Sequence, residues 1–206
     1  MSRSNSFRSV AATALMVVTL LAASGAQATL SYRLNNQAVY DSEANLTWLR
    51  DANANGFTNW APAMAWAGSL NIDGVTGWRL PGGTMGFGYD QTASEMGNMF
   101  YNVLGGTAHS SIIDNHNSNY AFFQNVKSRG YWSGFLNPTT TFDNPWFFGF
   151  GDGIQSYTGF YNSFAAWAVQ TGDVEASAVP APGTLALLGA GLCGWAGVKR
   201  ARRARA

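Results

Sequence analysis

Two apolar segments with basic flanks bracket this chain and limit where a folded domain can lie. Near the N-terminus, Arg3 and Arg8 precede an apolar run over residues 10–23, and the triplet Ala26-Gln27-Ala28 follows. A basic start, a short apolar run and an A-x-A triplet are typical of a secretory signal. We therefore expect a signal peptide over residues 1–28. The alternative is a first transmembrane helix, although a membrane span needs about 20 apolar residues.

The C-terminal segment, residues 179–206, has three parts in a fixed order. A proline-containing stretch comes first: Val179, Pro180, Ala181, Pro182 and Gly183. An uncharged stretch over residues 184–198 follows, with Thr184, Leu185, Leu187, Leu188, Leu192, Cys193 and Trp195 as its expected membrane residues. As a helix it reaches about 22 Å, which is short of a hydrocarbon core of about 30 Å. The sequence therefore predicts a short C-terminal anchor.

A cluster of basic residues closes the chain: Lys199, Arg200, Arg202, Arg203 and Arg205. Such residues stay on the cytoplasmic side of a membrane, so we expect the preceding domain to lie outside. Cys193 is the only cysteine in the chain, and the body therefore has no disulfide. We interpret Cys193 as a small apolar residue facing lipid, with palmitoylation as the alternative.

The body between these segments, residues 29–178, is long enough for one domain with its own core. It holds five basic and eleven acidic residues, which gives a net charge of −6. Phosphate backbones are bound by clustered lysine and arginine, so this acidic body argues against nucleic acid as a partner.

Residue spacing in the body predicts a mixed α+β fold. Residues 45–49 alternate like a half-buried strand, and Asn59 is placed to cap a helix with Pro62 in its first turn. Residues 92–95, "TASE", form a capping-box pattern ahead of apolar residues at helical spacing: Met96, Met99, Phe100, Val103 and Leu104. Short aromatic-rich runs separated by turns follow Tyr120. The expected fold is two helices followed by an antiparallel β meander.

The body offers little to support catalysis. Ser133 lies in "GYWSG", which is not the G-x-S-x-G pattern that presents a nucleophile, and His109 and His116 lie in a polar loop. The stretch over residues 81–88, "PGGTMGFG", lacks the following lysine of a phosphate-binding loop and predicts a flexible loop. We therefore expect no enzyme, with a hydrolase as the less favoured alternative.

Metal ligands are present but scattered. His109, Asp114 and His116 offer two imidazoles and a carboxylate within eight residues, which makes Zn²⁺ or Cu²⁺ conceivable. Oxygen donors for calcium lie in turns at Asp143, Asn144, Asp152 and Asp173, without EF-hand spacing. No cofactor is expected, and calcium is the alternative.

An aromatic run near the end of the body is the candidate binding face. Aromatic rings can cover the apolar C–H faces of sugars while amides bind the hydroxyls. The candidate glycan contacts are Trp146, Phe148, Tyr157 and Tyr161. The competing interpretation is a strand buried between layers. Four other tryptophans are assigned to the core, namely Trp48, Trp60, Trp78 and Trp167, and Arg79 is predicted to form a structural ion pair, with Glu95 as the candidate partner.

The C-terminal segment resembles the PEP-CTERM sorting signal. The resemblance rests on the order of residues 179–185, the stretch "ALLGAGLCGWAG" and the basic end, although Ala181 stands where the family usually has Glu. The resemblance implies a Gram-negative host that makes exopolysaccharide. It also implies processing by an exosortase, a membrane-embedded cysteine transpeptidase.

Five blocks in the body resemble the DUF1566 family, also called the Lcl C-terminal domain. They are "VYDSEANLTWLRDAN" (39–53), "NWAPAMAWAGSL" (59–70), "GWRLP" (77–81), "YWSG" (131–134) and "FAAWAVQTGD" (164–173). The resemblance implies a C-type-lectin-like fold. Together the two resemblances imply an exported surface or exopolysaccharide-matrix protein that binds glycan and contacts the inner membrane transiently. A purely structural surface domain is the alternative.

Overall fold

The structure is a computed structural model that describes residues 29–142 and 144–175. The signal peptide, the sorting segment and the membrane segment expected from the sequence lie outside the described residues, as does Asp143. Within the described residues, no helix combines the length and the apolar character needed to cross a bilayer.

The first sheet has four antiparallel strands in the order β1-β2-β3-β9. The strands are β1 (Leu30–Arg33), β2 (Ala38–Asp41), β3 (Leu46–Leu49) and β9 (Val169–Thr171). Strand β3 was predicted to be half-buried, but all four of its residues are buried. Thr47 is the polar residue among them, and its buried hydroxyl donates a hydrogen bond to the Gly172 carbonyl at 2.7 Å.

Three helical segments follow β3, the last of them a 3₁₀ helix, Ser118–Phe122. Helix α1 (Trp60–Ser69) begins after Asn59 with Pro62 in its first turn, as predicted, and buries Ala63 and Ala67, but the Asn59 side chain makes no capping hydrogen bond. Helix α2 (Glu95–Gly97) continues into a π-helical turn, Asn98–Val103. The predicted apolar face is confirmed, since all five residues at helical spacing are buried.

The predicted capping box is wrong in its register. Ser94, not Thr92, is the N-cap, and its hydroxyl accepts from the Gly97 N–H at 3.0 Å. Glu95 does not reach back to the cap, because its carboxylate binds Arg79 and the Gly82 N–H.

The second sheet has five strands in the order β4-β8-β5-β6-β7. The strands are β4 (Phe57–Thr58), β5 (Gly130–Leu136), β6 (Pro145–Gly149), β7 (Gln155–Tyr157) and β8 (Phe164–Ala165). The pairs β5–β6 and β6–β7 form the predicted antiparallel meander, while β8 runs parallel to β5.

The fold is mixed α+β, as predicted, but the expected order of elements was incomplete. Four strands, β1 to β4, precede the helices, and a single late segment, residues 164–171, supplies one strand to each sheet. Arg79 adds a backbone bridge to Val169, with N–O distances of 3.0 and 2.9 Å, so the "GWRLP" stretch is joined to β9.

Aromatic rings fill the core between the sheets and helices. Trp167 lies at its centre, in edge-to-face contact with Trp48 at 5.2 Å and with Phe123 at 5.1 Å between ring centroids. Trp48, Trp78 and Trp167 are buried, as predicted. Trp60 is only half-buried, and its indole N–H donates to the Ser133 carbonyl at 2.8 Å.

Candidate functional site

Two of the four predicted glycan contacts lie in the interior. Trp146 and Phe148 are only 2% and 1% exposed. Strand β6 has neighbours on both edges, the Phe148 ring lies against Phe100 at 5.5 Å, and Trp146 lies beneath Tyr157 at 5.3 Å. The assignment of Trp146 and Phe148 to a binding face is therefore wrong, and the core interpretation holds for both.

The other two predicted contacts reach the surface. Tyr157 is 39% exposed and Tyr161 is 83% exposed. Tyr157 has a partner that the sequence did not single out, Phe87, which is 62% exposed with its ring centroid 6.2 Å from that of Tyr157. We call Phe87 and Tyr157 the aromatic platform. Tyr161 follows in the connection from β7 to β8, where its ring faces the Cα of Gly159.

A buried amide holds the aromatic platform together. Gln155 in β7 is 3% exposed, and its Nε2 donates to the carbonyl of Gly86 at 2.6 Å and to that of Thr84 at 3.2 Å. The backbones of Gln155 and Gly88 also exchange two hydrogen bonds, of 2.8 and 2.9 Å. The loop predicted to be flexible is therefore anchored to β7, which places Phe87 beside Tyr157. Gly88 has a φ of +102°, a conformation that favours glycine.

Polar groups lie close to the platform in the turn after β7. The Thr158 N–H donates to the Pro145 carbonyl at 3.0 Å, and the amide of Asn162 donates to the Thr158 hydroxyl at 2.7 Å. The Asn162 amide and the Thr158 hydroxyl are therefore bonded to each other in the turn that directly follows Tyr157. Phe87 was missed because a single ring in a glycine-rich loop has no periodic pattern to reveal it.

The predicted metal ligands do not gather into one site. The ring of His109 lies tilted against Tyr89 with 4.0 Å between ring centroids, and His116 stacks on Tyr120 at the same distance. Asp114 lies exposed in a turn, where its backbone N–H donates to the Ser111 carbonyl at 3.1 Å. Among the residues that the structure describes, no three side chains of His, Cys, Asp or Glu are placed to hold a metal ion.

Asp173 and Asp152, two of the oxygen donors considered for calcium, have protein partners. Asp173 forms an ion pair with Arg33, with oxygens 2.5 Å from Nε and 2.8 Å from Nη2. This hydrogen bonding lowers the pKa of Asp173 and raises that of Arg33. Asp152 accepts from the Ile154 N–H at 3.1 Å, as in an ordinary turn.

Ser133, the nucleophile considered for a hydrolase, is buried in β5. Its hydroxyl donates to the Pro81 carbonyl at 3.0 Å and accepts from the Phe135 N–H at 3.2 Å. The Ser133 hydroxyl therefore both donates to and accepts from backbone groups, as a structural serine does.

Comparison with protein-family models, with curated proteins and with solved structures finds no match for this chain.

Proposed function

We propose that this chain is an exported, non-enzymatic protein of the cell surface or exopolysaccharide matrix, with a C-type-lectin-like body that binds glycan. Its C-terminal segment directs it to an exosortase after transient anchoring in the inner membrane. The support for export is the order of the terminal segments in the sequence. The support for glycan binding is the aromatic platform.

The exposed pairing of Phe87 with Tyr157 carries the binding proposal. Large apolar side chains held at the surface in contact with each other mark interaction sites more often than isolated ones do. Here Gln155 fixes the loop that bears Phe87, so the surface exists before a ligand arrives. A preformed surface loses less conformational entropy on binding.

The charge of the body narrows the class of glycan. With a net charge of −6 over residues 29–178, the body repels polyanions at low ionic strength. Neutral exopolysaccharides are therefore the favoured ligands, and the rings of the platform would cover their C–H faces.

Retention on immobilised neutral exopolysaccharide from the producing cells tests the platform. Phe87→Ala and Tyr157→Ala should each reduce retention of the full-length chain about tenfold. Phe142→Ala is the matched control, because Phe142 is an exposed ring outside the platform. Retention of all three variants at the wild-type level would instead favour a structural surface domain without ligand.

Export and sorting have their own test. Mass spectrometry of protein recovered from the cell surface should show an N-terminus at Thr29 and loss of the residues that follow the sorting segment. An intact chain recovered from the cytosol would contradict this part of the proposal without bearing on the platform.

A further inference from the structure

A pocket of about 320 Å³ lies between the β1–β2 turn, the end of β3 and the end of α1. One wall is apolar, formed by the half-buried side chains of Trp66, Leu70 and Ile72. The volume falls within the range of about 300–1,000 Å³ that is typical of small-ligand sites. The pocket shares no residue with the aromatic platform.

The rest of the lining is more polar and includes two exposed amide side chains. They belong to Asn36 and Gln124. Within the described parts of the chain, their side-chain amides and the indole N–H of Trp66 have no hydrogen-bond partner. Each amide supplies two donors and an acceptor, and the indole supplies one donor. A pocket lined by one indole ring and by free amides combines the groups that suit a sugar ring with C–H faces and a rim of hydroxyls.

The pocket's charges are already balanced. Arg50 donates from Nε to the Phe122 carbonyl and from Nη1 to the Asn36 carbonyl, both at 3.3 Å, and lies 4.9 Å from the Tyr32 ring centre. Asp51 accepts from the Asn53 N–H and from the Asn125 amide, each at 2.9 Å. The two opposite charges line the same pocket, so its chemistry favours a neutral ligand.

We infer that the Trp66 pocket is a second binding site, which takes one pyranose unit of a neutral saccharide. The sugar ring stacks on Trp66, and the amides of Asn36 and Gln124 bind its hydroxyls. The inference goes beyond the platform, because a pocket binds a single sugar or a chain end, whereas an exposed platform binds along a polymer.

Saturation-transfer NMR on the full-length chain in detergent tests the inference, with methyl glycosides of glucose, galactose and mannose as probes. Wild type should bind at least one of them. Trp66→Ala should weaken that binding at least about tenfold, and Gln124→Ala about threefold to tenfold. Gln124 is chosen over Asn36 because Asn36 has a φ of +65°, where alanine would strain the backbone.

The controls separate this site from the platform. Asn102→Ala removes an exposed amide outside the pocket, and Tyr157→Ala removes the platform, so both should keep wild-type binding of the glycoside. If Trp66→Ala fails to fold, Gln124→Ala alone tests the site. Gln124 is exposed, so we expect its replacement to leave the fold intact. Absence of binding by all three probes overturns the inference, as does unchanged binding in the folded pocket variants. Tighter binding of methyl glucuronide than of the glucoside overturns the neutral assignment.

Discussion

Arg79 and Glu95 form a bidentate ion pair, with Nη1–Oε2 and Nη2–Oε1 distances of 2.7 Å. Glu95 also accepts from the Gly82 N–H at 2.5 Å, and Arg79 donates to the Thr171 hydroxyl at 3.1 Å. The pair therefore joins the start of α2 to β9 and to the loop that carries Phe87. The hydrogen bonds that Arg79 donates to Glu95 raise the pKa of Arg79, although burial opposes this effect. The structural ion pair predicted for Arg79 is confirmed.

Glu95→Gln should lower the free energy of unfolding by about 1–2 kcal/mol, because it removes a charge-assisted bidentate contact that solvent only partly screens. Urea denaturation at pH 7 measures the change. Asp173→Asn is the control, since the side chain of Asp173 is 40% exposed against 24% for Glu95, and its loss should cost less than about 1 kcal/mol. An equal cost for both variants would show that Glu95 does not link its three segments.

The contribution of the Arg33–Asp173 ion pair to the free energy of unfolding should depend on pH. Because Arg33 lowers the pKa of folded Asp173, the pair stabilises the protein above the unfolded pKa of about 3.9. That contribution is lost as pH falls through the lower folded value. Asp173→Asn should therefore differ from wild type at pH 7 and approach it in acid. A difference that stays constant down to pH 2 would assign the effect to packing.

Gln155→Ala should release the loop that bears Phe87. The substitution removes the buried amide that donates to Gly86 and Thr84, so we expect a loss of about 1–3 kcal/mol in stability. Weaker glycan retention should accompany it, because Phe87 is no longer held beside Tyr157. Gln155→Glu should be at least as damaging, since it replaces the donor with a charge facing carbonyls. Hydrogen exchange over residues 84–88 measures the release, and unchanged protection there would contradict it.

Local spacing was sufficient to predict the helical face from Met96 to Leu104 but not its hydrogen bonding. The Leu104 N–H bonds to the Met99 carbonyl, five residues earlier, at 2.9 Å. The apolar pattern reports which residues face the core and not whether an N–H bonds four or five residues back, so it cannot distinguish an α-helix from a single π-helical turn.

Long-range pairing explains what the sequence could not reveal about the candidate site. The sequence correctly marked residues 145–150 as aromatic and strand-like. Burial of Trp146 and Phe148, however, depends on β5 and β7 on either side and on Phe100 from a distant helix. Phe87 is exposed beside Tyr157 only because Gln155, far away in sequence, binds its loop. Pairing at that separation leaves no local pattern.

Two tryptophans in contact provide a matched measurement of one buried hydrogen bond. The Trp167 indole N–H donates to the Leu49 carbonyl at 2.7 Å, whereas the indole N–H of buried Trp48 finds no acceptor among the described residues. Trp167→Phe should therefore cost about 1–3 kcal/mol more than Trp48→Phe, because it leaves a buried carbonyl without its donor. Urea denaturation of both variants gives the difference. Equal costs would mean that ring volume alone determines the loss.

Tyr131 should make the fold sensitive to alkali. Its side chain is fully buried, and its hydroxyl oxygen accepts from the Lys127 N–H at 2.7 Å. Burial raises the pKa of Tyr131 well above its ordinary value of about 10, and the Lys127 hydrogen bond offsets only part of this rise.

A raised folded pKa means that the stabilising contribution is complete below pH 10 or so and is lost as pH rises toward the folded value. We expect the free energy of unfolding to fall above that pH, by up to about 1.4 kcal/mol per pH unit for this one group. Tyr131→Phe should be about 1 kcal/mol less stable at pH 7, because the Lys127 N–H loses its acceptor, and should fall less steeply in alkali. Tyr161→Phe controls for loss of a tyrosine hydroxyl. Denaturation curves from pH 7 to pH 11.5 measure both slopes, and parallel curves for wild type and Tyr131→Phe would exclude Tyr131 as the source of the sensitivity.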